Sequence, residues 1–221
     1  MKILITGSHG LIGRIISEGL RKEHRLIFVD KKIGIDILVD SLESYFKDVD
    51  TIIHLAANPS PFIDERESQK NVEITNAVIR ACRDYGIKRV INASSINVYP
   101  YIELFEQGKQ LTRQTPLSSN LRFGNGSYGK AKIEAERLFD DYCRSNGISL
   151  VNLRIGCVTS YNLPSKQSDG HVEPIDYEIH LRHEDLIETI KKSLEYRGIS
   201  SYVCVSKKGG LVEDSIRFPI D

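Results

Sequence analysis

The 221-residue sequence predicts an α/β protein built on a doubly wound parallel sheet. Three observations carry that expectation. Short apolar runs alternate with helical patterns along the chain, as in successive βαβ units. The runs are continuously apolar, as strands covered by helices on both faces require. A turn with glycines three apart joins the first run to the first helix.

Residues 2–6 form the first strand, and residues 11–22 the first helix. Residues 25–30, rich in Leu, Ile, Phe and Val, form the second strand. Residues 33–38 are a weaker strand candidate and lead to a short helix near 41–46. Residues 51–55 read as a buried strand. Across 71–85, Val72, Ala77, Val78, Ile79 and Ala81 follow a helical pattern that ends at Gly86. Residues 88–93 are a strand, and residues 127–145 a long amphipathic helix stopped by Asn146-Gly147. A strand at 149–154, a helix at 183–196 and a last strand at 201–205 complete the series. Three long irregular segments, 58–69, 100–126 and 159–177, interrupt it. Loops of that length in a compact domain are usually functional or mobile.

Composition narrows the partners. Lys and Arg number 30 and Asp and Glu 30, so the formal net charge is zero. That argues against nucleic acid, whose binders carry a basic excess, and against an anionic membrane surface. With 40% hydrophobic residues the chain has enough apolar content for a core. No apolar run approaches the roughly 18 residues of a spanning helix, and the amino terminus has no signal-type apolar segment. A cytoplasmic location is expected. Cys82, Cys143, Cys157 and Cys204 are scattered, with no Cys-x-x-Cys pair. Neither a disulfide framework nor a metal site is expected.

The glycine turn reads Thr6-Gly7-Ser8-His9-Gly10-Leu11-Ile12-Gly13. Gly7 permits a tight turn, Gly10 a close approach to a pyrophosphate, and Gly13 close packing of helix on sheet. The free N–H groups at the start of the helix face the phosphates. Asp30 ends the second strand, where a carboxylate accepts hydrogen bonds from the adenosine ribose and repels a 2′-phosphate. This favours NAD over NADP, although Lys31 and Lys32 beside it oppose the inference.

Tyr128 and Lys132 stand at i and i+4, one above the other on a helix face. The Lys132 ammonium is expected to draw the phenol down from its usual value of about 10. Tyr128 then exchanges a proton with a substrate hydroxyl or carbonyl. Ser95 is expected at the carboxyl end of a central strand, where ligands bind in open parallel sheets.

Together these residues resemble the extended short-chain dehydrogenase/reductase superfamily, the NAD-dependent epimerase/dehydratase group with a Rossmann fold. Residues 6–13 match its Thr-Gly-x-x-Gly-x-x-Gly turn. Asp36-Ile37 is similar to its acidic-apolar pair beside the adenine. His54-Leu55-Ala56-Ala57 matches the strand end lining the cofactor, and Asn71 the Asn opening the next helix. Residues 94–99 match Ser-Ser-x-x-Val-Tyr, which puts Ser95 in the catalytic place with Tyr128 and Lys132.

The resemblance implies NAD held by Gly7, Gly10, Leu11, Ile12, Gly13, Asp30, Asp36, Ile37, Leu55, Ala56, Ala57, Asn71, Tyr128, Lys132 and Ile155. It also implies a homodimer through the Tyr128 helix. Residues 1–154 are expected to form the dinucleotide-binding domain. Residues 155–221 are expected to be a small substrate-binding portion completing the same compact unit.

Within the group, Leu153-Arg154-Ile155-Gly156-Cys157 and His183-Glu184-Asp185-Leu186 resemble segments of uronate dehydrogenases. Those enzymes read the substrate carboxylate with an Arg. Ile175 lies near the corresponding place here and cannot bind a carboxylate. The implied function is hydride transfer between a small sugar (uronate, aldose or polyol) and NAD. Ser95, Asn97, Tyr128 and Cys157 would face the sugar. Two alternatives stand beside it: a nucleotide-sugar epimerase or dehydratase, and a non-catalytic NAD-binding sensor. The short carboxyl-terminal portion leaves little room for a nucleotide, and the intact Ser-Tyr-Lys set gives a sensor no advantage.

Overall fold

A computed structural model describes residues 1–219. Its sheet has six strands: β1 (Lys2–Thr6), β2 (Arg25–Val29), β3 (Thr51–His54), β4 (Arg89–Ser95), β5 (Ser149–Ile155) and β6 (Ile199–Cys204). They lie in the order β2-β1-β3-β4-β5-β6, and every neighbouring pair is parallel. The helices are α1 (Leu11–Leu20), α2 (Glu43–Phe46), α3 (Glu65–Asp84), α4 (Tyr101–Glu106), α5 (Ser127–Asn146), α6 (Pro174–Ile179) and α7 (His183–Glu195).

The doubly wound arrangement follows from the side-chain alternation of the strands. Leu4, Ile52, Val90 and Leu150 point to one face, where Val78 and Cys82 of α3 and Phe139 and Cys143 of α5 cover them. Ile3, Ile5, Ile53, Ile91 and Val151 point to the other, under Ile16 and Leu20 of α1 and Leu186, Ile190 and Leu194 of α7. Both faces are dry, so the strands have no polar side to show. A third apolar cluster includes Ile96, Val98, Tyr99 and Leu111 with Val203, Val205, Leu211, Val212 and Ile216. It joins the segment after β4 to the carboxyl-terminal region.

The outer edge of β6 is not bare. Val203 donates to the Ile216 carbonyl, Phe218 donates to that of Val203, and Arg217 forms an isolated parallel bridge with Val203. Among the described residues no helix is long and apolar enough to cross a membrane.

The structure corrects several expected boundaries. Residues 33–38 form no strand: Lys31–Ile33 is a 3-10 turn capped by Asp30, and Gly34 follows at φ +80°. Ile37 still reaches the core. Helix α3 starts at Glu65, not at 71, because the Asp64 carboxylate accepts the Glu67 N–H and caps it. The segments at 100–126 and 159–177 contain α4 and the start of α6. Strand β5 extends to Ile155, and β6 begins at Ile199.

Candidate active site

The site lies at the carboxyl ends of β1, β3, β4 and β5, where strand order reverses between β1 and β3. Its floor begins with Thr6. The backbone N–H groups of Leu55 and Ala56 donate to Thr6 Oγ1 at 3.2 and 3.3 Å. The hydroxyl is left to donate its own proton to His54 Nδ1, 2.8 Å away. Gly7 then turns at φ +68°, with its Cα against the Leu55–Ala56 backbone.

The turn is a cradle with one open side. A Cβ on Gly13 would meet the Gly7 and Ser8 carbonyl oxygens at 2.5 and 2.6 Å, whereas one on Gly10 would meet only the Gly7 oxygen at 3.3 Å. Gly10 caps α1 without a side-chain hydrogen bond, and the first turn carries no acidic residue. The positive end of the ten-residue helix is therefore left for an anion. The Asp30 carboxylate holds the rim, accepting the His9 and Lys32 N–H groups at 2.8 Å each. Two acceptor positions remain on it. These features fit a dinucleotide pyrophosphate and ribose.

The flanking residues are more committed to the fold. Asp36 accepts the Leu38 N–H at 3.0 Å and pairs with Lys31 at 2.9 Å. Ile37 is buried. Asn71 clamps the loop after β3 with both ends of its amide: its Oδ1 accepts the Asn58 N–H, and its Nδ2 donates to the Asn58 carbonyl.

Ser95, Tyr128 and Lys132 come together as expected from their spacing. The Ser95 hydroxyl is close enough to the Tyr128 phenol to favour its charged form. Ser95 Oγ accepts from Asn97 N and Asn97 Nδ2, both at 3.2 Å. Lys132 Nζ donates to the Ala93 carbonyl at 2.7 Å and sits 5.8 Å from the centre of the Tyr128 ring. All three residues are buried. Ile155 pairs with Ser95 across β4 and β5, and Cys157 follows two residues later.

The phenol's acidity is the reverse of the expectation. Burial pushes Tyr128 up to about 12, and the Ser95 hydroxyl only partly offsets this. Lys132, whose ammonium is bonded to the Ala93 carbonyl, is not among the groups that draw it down. Burial lowers Lys132 to about 8, with the Glu136 carboxylate opposing the fall.

Burial, then the Lys132 charge, lowers His54 to about 3. The unfolded chain, with an ordinary imidazole, binds the proton first. The stability that neutral His54 contributes is thus complete above pH 6.5 and is lost as pH falls toward 3. The slope is about 1.4 kcal/mol per pH unit. Urea unfolding at pH 7 and pH 4.5 should show about 2–3 kcal/mol of this loss in the wild type. His54→Asn should lack it.

Arg154, at the end of a strand, reads from sequence as a structural pairing residue, and its partner Glu136 was not foreseen. Arg154 grips Glu136 with two hydrogen bonds, Nε to Oε1 at 3.0 Å and Nη2 to Oε2 at 2.7 Å, and also donates to the Tyr99 hydroxyl. Glu136 is 5% exposed and lies one turn beyond Lys132 on the same helix face. The spacing 128, 132, 136 was the available signal.

A separate cleft of about 620 Å³ opens beside the ends of β5 and β6, lined by Pro164, Tyr177, Glu178, His180, Arg182 and Lys207 among others. Its two cations are paired, Lys207 with Glu178 and Arg182 with Asp185. Ile175 packs against the third apolar cluster.

Comparison with known proteins follows the same lines. The sequence model of the NAD dependent epimerase/dehydratase family matches residues 3–189. The uncharacterized Bacillus subtilis (strain 168) protein YtbQ is 26% identical over 226 residues, which cover 95% of this chain and 87% of YtbQ. An L-arabinose 1-dehydrogenase (NAD(P)(+)) from Haloferax volcanii is 27% identical, over 70% of this chain and 66% of its own. Among solved structures, an NAD complex of a uronate dehydrogenase mutant from Agrobacterium tumefaciens superposes with a TM-score of 0.79 at 20% identity. That match covers 97% of this chain and 80% of the other, and it bears on the fold alone.

Proposed function

The chain belongs to the NAD dependent epimerase/dehydratase family, and from that premise we propose that it is an NAD-dependent oxidoreductase acting on a small neutral sugar or polyol. The observation that carries this reading is the buried grouping of Ser95, Tyr128 and Lys132 at the strand ends next to the glycine cradle.

Gly7, Gly10, Leu11, Ile12 and Gly13 would hold the pyrophosphate. Asp30 would hold the adenosine ribose, with Asp36 and Ile37 nearby. Leu55, Ala56, Ala57, Asn71, Ile155, Tyr128 and Lys132 would line the rest of the path. When bound, NAD supplies the hydride acceptor. Ser95 orients the reacting hydroxyl through its own hydroxyl, which Asn97 holds in place. In the reductive direction the protonated Tyr128 phenol gives its proton to the substrate carbonyl oxygen; in the oxidative direction it takes the hydroxyl proton only after losing its own to solvent. Lys132, fixed to the Ala93 carbonyl, carries the nearby positive charge. The protein's main contribution is alignment of these groups.

The apolar setting of Ile175 and the paired cations of the neighbouring cleft support a neutral substrate over a uronate. A homodimer through α3 and α5 belongs to the same reading. Between these helices lies an open groove lined by Phe62, Ile63, Val72, Lys130, Ala131 and Glu134 among others.

The test is NADH fluorescence after mixing the protein and NAD with neutral aldoses, polyols, hexuronates and nucleotide sugars in turn. NADH is expected from a neutral aldose or polyol. Interconversion of a nucleotide sugar without net NADH would mark an epimerase instead. Cofactor binding with no turnover of any sugar would mark a sensor.

A further inference from the structure

The glycine cradle and the Ser95–Tyr128–Lys132 group do not account for the most buried ion pair among those described. Glu136 and Arg154 have side chains 6% and 14% exposed, and they meet through two parallel hydrogen bonds. Removing two charges from water costs several kcal/mol per ion, which the attraction between them does not always repay. A pair serving only to join α5 to β5 could be replaced by apolar contacts. Its position suggests a second role. Glu136 is the next residue on the face that carries Tyr128 and Lys132, at i+4 from the lysine.

Lys132 needs such a neighbour. The residue is 9% exposed and its ammonium's hydrogen-bonding partner is the neutral Ala93 carbonyl. A neutral amine is favoured in that setting. The other groups around it add no negative charge. Strand β3 brings His54, which is uncharged at neutral pH. Strand β4 brings Ala93 and Ser95, and strand β5 brings Arg154, which is itself held by Glu136. The buried polar residues of α3, the helix packed on α5, are Asn71 and Thr75, both neutral. On α5 itself the titratable neighbour on the other side is the Tyr128 phenol. Glu136 is thus the anion that acts on Lys132. Arg154, itself bonded to the Tyr99 hydroxyl, holds the carboxylate through two hydrogen bonds.

We propose that Glu136, clamped by Arg154, is the counter-charge that keeps Lys132 an ammonium inside the protein, and so is a positioning residue for the Ser95–Tyr128–Lys132 site. Its effect on turnover rests on the oxidoreductase reading above; the counter-charge does not. A carboxylate held by a guanidinium through two hydrogen bonds is fixed in place. It therefore favours the lysine's proton without competing for the Ala93 carbonyl.

The experiment is a pH titration of the cofactor-free protein carrying 13C at the lysine ε-carbons, read by NMR. The Lys132 resonance is identified by its loss in Lys132→Arg. In Glu136→Gln the Lys132 midpoint is expected to fall by about one pH unit or more, the usual effect of losing a close opposite charge. That variant leaves Arg154 buried without its partner. Glu136→Gln with Arg154→Met removes both charges and keeps the test available if the single variant fails to fold. The midpoint is expected to fall there too, and Glu136→Asp is expected to restore it part of the way. An unchanged midpoint in the folded charge-removed proteins would overturn the proposal and leave the pair a structural bolt.

The second readout is the pH profile of NADH production. In the charge-removed proteins kcat is expected to drop more at pH 8 than at pH 6, with KM for the sugar little changed. A uniform loss at both pH values would point to a structural bolt. If the wild type oxidises no sugar, the oxidoreductase reading fails, while the NMR titration still decides the counter-charge.

Discussion

Tyr128→Phe is expected to lower turnover by about two to four orders of magnitude, the usual worth of a positioned general acid or base. Cofactor affinity and thermal midpoint should stay close to wild type. The exchange removes a single oxygen from a side chain packed in its place. It leaves Ser95 Oγ with its two bonds from Asn97. NADH production measures the first quantity, titration of NAD binding the second, and a thermal scan the third. Full activity in the variant would end the assignment of Tyr128 as the proton-transfer group. The phenol, held near 12 in the cofactor-free chain, is almost fully protonated at neutral pH. The variant therefore removes a neutral hydrogen-bonding hydroxyl and no buried charge, which is why little stability should be lost.

The second large effect is expected in the glycine turn, where two substitutions of equal size should behave differently. Gly13→Ala drives a methyl group to 2.5 Å from one backbone oxygen and 2.6 Å from another. Neither can swing away, so α1 must lift from the turn. A loss of about 1–3 kcal/mol of stability is expected, with NAD binding weakened by about 100-fold or more, since about 2.7 kcal/mol corresponds to that factor. Gly10→Ala meets only one oxygen, at 3.3 Å, on a backbone at φ −72° and ψ 174° that alanine adopts freely. Its thermal midpoint should be close to wild type, yet NAD binding should weaken because the methyl group occupies the open side of the cradle. A Gly10→Ala protein that binds NAD normally would show that the dinucleotide does not lie over this turn.

Features encoded within a few residues were legible from sequence. The strand–glycine–helix unit, the i, i+4 pair of Tyr128 and Lys132, and Ser95 at the end of β4 all depend on short spacings. Features decided by distant packing were not. The apolar content of residues 33–38 matched a strand. In the fold, however, β1 already has β2 on one side and β3 on the other, and Gly34 turns the chain so that Ile37 buries itself without a ladder. The polar first turns of α3 carry no apolar stripe, and only the Asp64 cap marks their start. The Glu136–Arg154 pair spans 18 residues and two elements, so the 128, 132, 136 spacing places Glu136 on the site's helix face without naming its partner. The direction of the Tyr128 shift was misjudged for a related reason. Proximity of Lys132 was visible, whereas the depth of burial was not.

The strap along β6 has a consequence for how this sheet meets other molecules. A free strand edge is a row of unpaired donors and acceptors that recruits further strands and seeds aggregation. On the β6 side, residues 216–218 already occupy part of that row. At the opposite end β2 pairs with β1 alone among the described strands. It is only five residues long and begins with an exposed arginine, Arg25. The molecule thus protects its two flanks by unlike means, one by a covering segment and the other by brevity and charge.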